Sequence, residues 1–415
     1  MSNLTLTHAQ LLDPSQKLKQ LSDVIIENGL VTNITPVGES TSKGDKFDAH
    51  SALLIPGLID LSAHISNVAT ETSAAAKGGI SLVCTQPNSK PIIDTPADVS
   101  SIQQSSAAAN NSQLLPLGAL TQGLEGDQLA NMHSLKQAGC IALSNARAPI
   151  KNALVLRRIM EYAATHDILI MLTAEDYDLS ANGKMHEGPT ANRLGLAGIA
   201  EVAETASLAQ QLLLIELTGC RAHFSQISCG RSVEMIRSAQ AQGLAISADV
   251  AIANLMFTDE DVNGFDSTFH VQPPLRSEQD RQTLLAGVND GILAICSNHQ
   301  PKDIAAKKAP FAAAEAGMSI LDSWLSMMLT LVQKGELELE MLVNASAILP
   351  AKVLGINAGI QIGQAANLVI VDTTTETCYS AEKLISTGKN SPVLGETLVG
   401  EVKLTISGGR EVFRA

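Results

Sequence analysis

Aromatic side chains are scarce: one Trp, three Tyr and seven Phe in 415 residues. A core of this size then has to be built from Ala, Val, Leu and Ile, as in helices packed on a buried parallel sheet. Positive charge is scarce as well, with 28 Lys+Arg against 42 Asp+Glu and a formal charge of −14. The densest basic clusters are pairs such as Arg157-Arg158 and Lys307-Lys308, which excludes a phosphate-binding stripe and argues against a nucleic-acid partner. The six cysteines (Cys84, Cys140, Cys220, Cys229, Cys296, Cys378) form no CxxC pair, and a chain this long needs no disulfide staples, so they read as buried free thiols. No apolar run approaches the roughly 18 residues of a membrane span. The start, Met1-Ser2-Asn3-Leu4-Thr5, lacks the charged and apolar stretches of a signal peptide. The expectation is a cytoplasmic protein with no membrane partner.

What is present is a βα alternation. Short apolar runs recur at Ala52-Asp60, Gly79-Thr85, Gln113-Ala119, Gly139-Leu143, Ile168-Thr173, Cys220-Ile227, Leu244-Val250 and Gly291-Ser297. Helical spacing of apolar residues falls between most of them, at Gly126-Gln137, Lys151-Thr165, Ala197-Glu216, Ser232-Gln242 and Glu278-Asn289, and again at Met318-Val332 and Leu337-Ala345. Eight such repeats predict an α/β fold, a (β/α)8 TIM-type barrel over residues 54–362. The ends alternate differently, as in Asp23-Gly29 and Ala366-Asp372. Residues 1–53 and 363–415 are expected to combine into one small β-sandwich domain.

Barrel chemistry sits at the carboxyl ends of the strands. After the first strand stands Pro56-Gly57-Leu58-Ile59-Asp60-Leu61-Ser62-Ala63-His64-Ile65-Ser66. Further on come Glu71-Thr72, Gln86-Pro87-Asn88-Ser89-Lys90-Pro91, Pro273-Pro274-Leu275-Arg276, Ser297-Asn298-His299-Gln300-Pro301 and Gly388-Lys389-Asn390-Ser391-Pro392. Together these motifs resemble those of the cyclic amidohydrolases, and among them the dihydroorotases, through nearly the whole chain. The resemblance implies an amidohydrolase barrel whose zinc activates a water. It also implies where the ligands and the catalytic base belong: Ser62, His64, Asn145, Thr173, Gln226 and Asn298. Only His64 keeps the family's residue type; the other five are uncharged polar side chains. Such residues can fill the mouth and bond to one another, but they supply neither the imidazoles nor the negative charge that zinc requires. The carboxamide of Asn298 cannot accept a proton near neutral pH. The family's substrate-gripping Arg falls at Ser66 and a further His at Lys302, leaving Asn88 as the residual substrate position.

The expectation is therefore a pseudoenzyme with no catalytic residue, no metal and no other cofactor. Within the family the resemblance is nearest to the noncatalytic chains that accompany some bacterial aspartate carbamoyltransferases. It implies two partners, the transferase catalytic chain and a second copy in a homodimer, and a role in pyrimidine biosynthesis. The alternatives are an active zinc-dependent dihydroorotase or cyclic amidohydrolase with rearranged ligands, drawing His64 together with Glu175, Asp176 or Asp249, and a small-molecule sensor. A hydroxyl nucleophile built from Ser62 and His64 lacks an orienting acid. His64 otherwise reads as a hydrogen-bonded histidine of a packed mouth, Asp60 as an anchor for backbone amides, Lys302 as a solvated loop residue, and Met318, Met327 and Met328 as core.

Overall fold

The computed structural model describes residues 3–40 and 44–415; Met1 and Ser2, read above for a leader, lie outside them. The chain opens with β1 (Leu4–Asp13), β2 (Leu18–Glu27), β3 (Leu30–Thr35), β4 (Asp45–Asp48) and β5 (Leu53–Pro56). Asn28 and Gly29, both at positive φ (52° and 83°), make the two-residue turn that joins β2 to β3 in register Glu27 to Leu30. Eight strands follow: β6 (Leu58–Ala63), β7 (Ile80–Thr85), β8 (Gln113–Ala119), β9 (Ala142–Ser144) and β10 (Ile170–Thr173), then, after a small parallel pair β11 (Met185–His186) and β12 (Gly198–Ile199), β13 (Ala222–Ser225), β14 (Ile246–Ala251) and β15 (Leu293–Cys296). They pair in parallel in the order β6 to β10 and β13 to β15. His64 N donates to His299 O at 2.8 Å and brings the two outer strands together, so the sheet nearly closes into the expected TIM-type barrel.

The tail returns as β16 (Leu368–Cys378), β17 (Thr397–Ser407) and β18 (Arg410–Arg414). Both termini thus share one sheet in the order β18-β17-β16-β5-β1-β2-β3, with β4 on β1, over a core that includes Leu6, Leu11, Val24, Leu54, Ile370 and Leu404. The expected division at residue 53 falls inside β5, which pairs wholly within this sheet, against β1 and β16. Gly57 is the joint between the terminal sheet and the barrel. A Cβ there would stand 2.5 Å from Ser81 Oγ, so only glycine lets the chain pass from β5 to β6 at this separation.

The helices of the first two thirds of the chain are α1 (Val68–Lys77), α2 (Pro96–Ala109), α3 (Met132–Ala138), α4 (Ala153–Thr165), α5 (Pro189–Leu194), α6 (Val202–Thr218) and α7 (Gly230–Ala241). Two expected helices start later than the apolar spacing suggests. α3 begins at Met132 because Gly126, at φ 75°, holds a loop and Asn131 caps the helix; α6 begins at Val202 because Gly198 and Ile199 are taken by β12. The stretch from Met318 likewise starts its α-helix only at Trp324, after a 3-10 turn at Leu321–Ser323, Met318 being bridged to His299. α2 was invisible to apolar spacing, since only Val99 and Ser106 of its 14 residues are buried; its signature is the Thr95/Asp98 capping box with Pro96 in the first turn. Ile59, Leu61, Leu82, Cys84, Met171 and Cys296 are among the residues that fill the barrel interior. Five cysteines are buried as free thiols, and the sixth, Cys378, is exposed at the end of β16.

Candidate functional site

The strand ends aim side chains into the mouth at some cost to the backbone. Ala146, Gln226 and Asn298, each just beyond a barrel strand, have φ of 49°, 58° and 48°, a region that residues with a Cβ seldom occupy. Ser62, at the end of β6 and buried, accepts at Oγ from Gln86 Nε2 (2.9 Å) and from Gln226 Nε2 (2.7 Å). Gln226 Oε1 accepts in turn from Arg147 Nη1 at 3.3 Å, and Arg147 Nη2 pairs with Glu175 Oε2 at 2.5 Å. A neutral hydrogen-bonded chain thus crosses the barrel from β6 and ends in a partly buried ion pair.

The other expected positions divide. Thr173 donates to the Ala146 carbonyl at 2.9 Å and lines the mouth. Asn298 donates to the Gln272 carbonyl at 3.0 Å and accepts from Gln300 at 3.1 Å. Asn145 turns aside: its Oδ1 accepts from Thr121 (2.8 Å) and its Nδ2 donates to the Ala148 carbonyl (3.1 Å), fixing the loop after β9. Asn88 is exposed on the loop after β7 and does not line the mouth. The space enclosed by Ser62, His64, Arg147, Gln226 and Asn298 is only about 10 Å³, room for about one water.

His64 lines this space, but its ring makes no hydrogen bond to a described residue; only its backbone amide is tied. Burial, and then the neighbouring His299, Lys302 and Arg147, push its pKa down to about 4, so the ring is neutral at pH 7. Below the mouth, His223 is fully buried between Ser247 Oγ (2.8 Å) and Asp249 Oδ2 (2.9 Å), while Asp249 Oδ1 accepts from Gln226 N at 2.7 Å. His299 Nδ1 accepts from Ile320 N (3.0 Å) and its Nε2 meets Glu71 Oε2 (3.1 Å). Asp60 accepts from Ser297 N (2.9 Å) and Oγ and from Ser62 N (3.2 Å), the anchoring role expected of it. Burial outweighs those bonds and raises its pKa to about 6. Lys302 is not simply solvated: it is partly buried and pairs with Glu315 at 2.7 Å.

This donor set does not fit a divalent zinc. The acids named above as replacement ligands are committed elsewhere, Glu175 to Arg147, Asp249 to His223 and Gln226, and Asp176 to the amides of Asp178 and Leu179. Among the described residues no group of three or more His, Cys, Asp or Glu side chains is arranged to hold a metal ion. Arg147 instead brings a permanent cation to the mouth, and a cation repels a second one. Its part was missed in the sequence, where Arg147 stood only as a neighbour of Asn145; the juxtaposition of β9 and β10 is what places it against Glu175.

The architecture is of the hydantoinase kind. The L-hydantoinase (dihydropyrimidinase) from Arthrobacter aurescens superimposes over 100% of this chain and 96% of its own with a TM-score of 0.88 at 23% identity. Residues 51–232 match the dihydro-orotase-like family model. A dihydroorotase-like protein of Pseudomonas aeruginosa is 42% identical across 98% of both chains, and a dihydroorotase of Trichlorobacter lovleyi is 35% identical across 99% of both. The chain belongs to the dihydroorotase-like family of amidohydrolase barrels. No helix among the described residues is long and apolar enough to cross a membrane.

Proposed function

We propose that this chain is a catalytically inactive dihydroorotase homologue, retained in the cytoplasm as a structural subunit that assembles or stabilises aspartate carbamoyltransferase. The observation that carries the loss of catalysis is Arg147, ion-paired to Glu175 and bonded to Gln226 in the mouth where the resemblance places metal. Three further features support it. Neutral side chains occupy the ligand positions, Ser62 bonded to Gln226 and Asn145, Thr173 and Asn298 to neighbouring backbone carbonyls, the space enclosed by Ser62, His64, Gln226 and Asn298 is only about 10 Å³, smaller than a dihydropyrimidine ring, and Asn298 stands where a carboxylate base would act. The transferase as partner rests on the sequence resemblance. A rigid barrel joined to a terminal sheet offers the kind of surface that a stable interface of about 1,200 to 2,000 Å² needs, whatever has happened at the mouth.

The second reading, an active zinc-dependent dihydroorotase with rearranged ligands, is favoured by the relative from Trichlorobacter lovleyi, which is named a dihydroorotase. One experiment separates the two. The chain is co-expressed with a transferase catalytic chain, the mass of the product is measured by light scattering, and carbamoyl transfer and dihydroorotate hydrolysis are assayed. A joint complex in which transfer depends on this chain and hydrolysis stays at background supports the scaffold. Two separate species, with the transferase fully active alone, refute it, and hydrolysis above background restores the enzyme.

A further inference from the structure

Gln211 of α6 is only 7% exposed, and its carboxamide is half used. Nε2 donates to the Thr173 carbonyl (3.0 Å) and to Ser207 Oγ (3.1 Å), whereas Oε1 accepts no hydrogen bond from any described residue. A buried acceptor without a donor is costly and calls for a partner from outside the chain. Gln211 lines a hollow of about 600 Å³ between the start of α4 and the first three turns of α6. That volume is in the range of small-molecule sites. The hollow is not the mouth: the two share only Ala146 and Thr173, which are joined by a hydrogen bond of 2.9 Å.

Acceptors dominate the polar wall of this hollow. Glu175, Asp176 and Asp178 all line it. Arg147 bonds to Glu175 through Oε2 alone, the amides of Asp178 and Leu179 bond to Asp176 through Oδ1 alone, and the exposed carboxylate of Asp178 is bonded to no described residue. Lys151, the one cation lining the hollow among the described residues, is paired with Asp127 at 2.9 Å. The wall therefore carries an excess of negative charge, which favours a cationic occupant. A bare divalent ion fits poorly, because no three acids among the described residues converge as ligands, and Leu120, Leu156, Met171 and Leu172 give the hollow a buried apolar side. We infer that this hollow binds a small organic cation, its ammonium or guanidinium group bonded to Gln211 Oε1 and the carboxylates and its short apolar chain laid along the leucines. A charged N–H donor satisfies the lone acceptor and the acids together. A neutral donor would serve Gln211 but leave the acids uncompensated, and an anion would be repelled. Such a site goes beyond the proposed function and does not depend on it.

Isothermal titration calorimetry on the full chain tests this with putrescine and agmatine, against butanol and succinate as neutral and anionic probes of similar length. The two amines should saturate a single site at submillimolar concentration and bind less tightly as salt is added, while butanol and succinate should give no saturable heat. Blocked amino acids form a second arm: tighter binding of Nα-acetyl-lysine amide or Nα-acetyl-arginine amide than of the free amines assigns the cation to a protein side chain, and weaker binding assigns it to a free molecule. Ala206→Trp carries a ring from the exposed face of α6 into the hollow and should abolish binding. Asp178→Asn, at a carboxylate with no bond in the fold, should weaken it several-fold, and Gln211→Met should weaken it as well. Because the last change also removes the bond to Thr173, the first two variants keep the test decisive if it unfolds. Glu234→Gln, at an exposed acid of α7 outside the hollow, should change nothing. Absence of saturable binding by either amine overturns the inference, as does binding indifferent to Ala206→Trp. Equal losses in Asp178→Asn and Glu234→Gln also overturn it, since they mark a general attraction to a chain of charge −14.

Discussion

Arg147, from the loop after β9, reaches Glu175, from the loop after β10, with Nη2 2.5 Å from Oε2 and both side chains largely withdrawn from water. Because the pair is also bonded through Gln226 to Ser62, it is expected to matter to stability more than an exposed ion pair. Glu175→Gln should cost about 1–3 kcal/mol, since it leaves a partly buried guanidinium without its charge partner. Exchanging both residues for apolar ones of similar size should cost less than either single change. Urea unfolding of the double-mutant cycle measures this, and strict additivity would show that the pair is not coupled.

The mouth's neutral donors lead to an expectation about metal. The purified chain should hold no stoichiometric zinc and should not interconvert carbamoyl aspartate and dihydroorotate above background. Its melting temperature should be unchanged by a strong chelator, because a metal that binds only the folded state raises stability by mass action. Elemental analysis finding one or two tightly held zinc ions, with turnover abolished by His64→Ala, would reverse the assignment.

Two buried groups pull the pH dependence in opposite directions. His64 has its folded pKa near 4 against an ordinary 6.5, so the unfolded chain takes up the proton first; the stability this group contributes is full above about 6.5 and is lost as pH falls toward 4. Asp60 has its folded pKa near 6 against 3.8, so its contribution is full below about 3.8 and is lost as pH rises through 6. His64→Asn removes only the first of these. The pH of maximum thermal stability should therefore move down in that variant, and a move upward would contradict the assignment of the shift to burial of the ring.

Not every residue of the upper barrel should tolerate change alike. Asn298→Ala loses two neutral hydrogen bonds at a partly open site and should leave any partner's activity intact, at a stability cost of about 1–2 kcal/mol. Glu204 is different: it is 5% exposed, accepts from the amides of Ser228 and Cys229 at the start of α7, and lies 3.9 Å from Arg276. Glu204→Leu leaves that buried arginine without its charge partner and should cost about 3–5 kcal/mol. Equal melting temperatures for the two variants would refute the distinction.

The sequence by itself determined the alternation of apolar runs and helical spacings, and with it eight parallel strands, because burying both faces of each strand requires that periodicity whatever surrounds it. It also determined the chemical type at each mouth position: that Ser62, Thr173, Gln226 and Asn298 offer neither imidazole nor carboxylate was legible in residues alone. Helix α2 was not, since its single strongly apolar buried residue, Val99, leaves no stripe to read and its start is set by the cap at Thr95. Nor was the aim of the side chains. Asn145 and Arg147 are two residues apart, and which of them enters the mouth depends on Ala146 adopting φ 49° and on Thr121 and the Ala148 carbonyl holding Asn145 aside. Pairing Arg147 with Glu175 across 28 positions, and setting α6 between α4 and α7 with Leu208 inward and Leu213 and Leu217 outward, are decisions of the barrel: they follow from which strands become neighbours, a property no local stretch of the chain encodes.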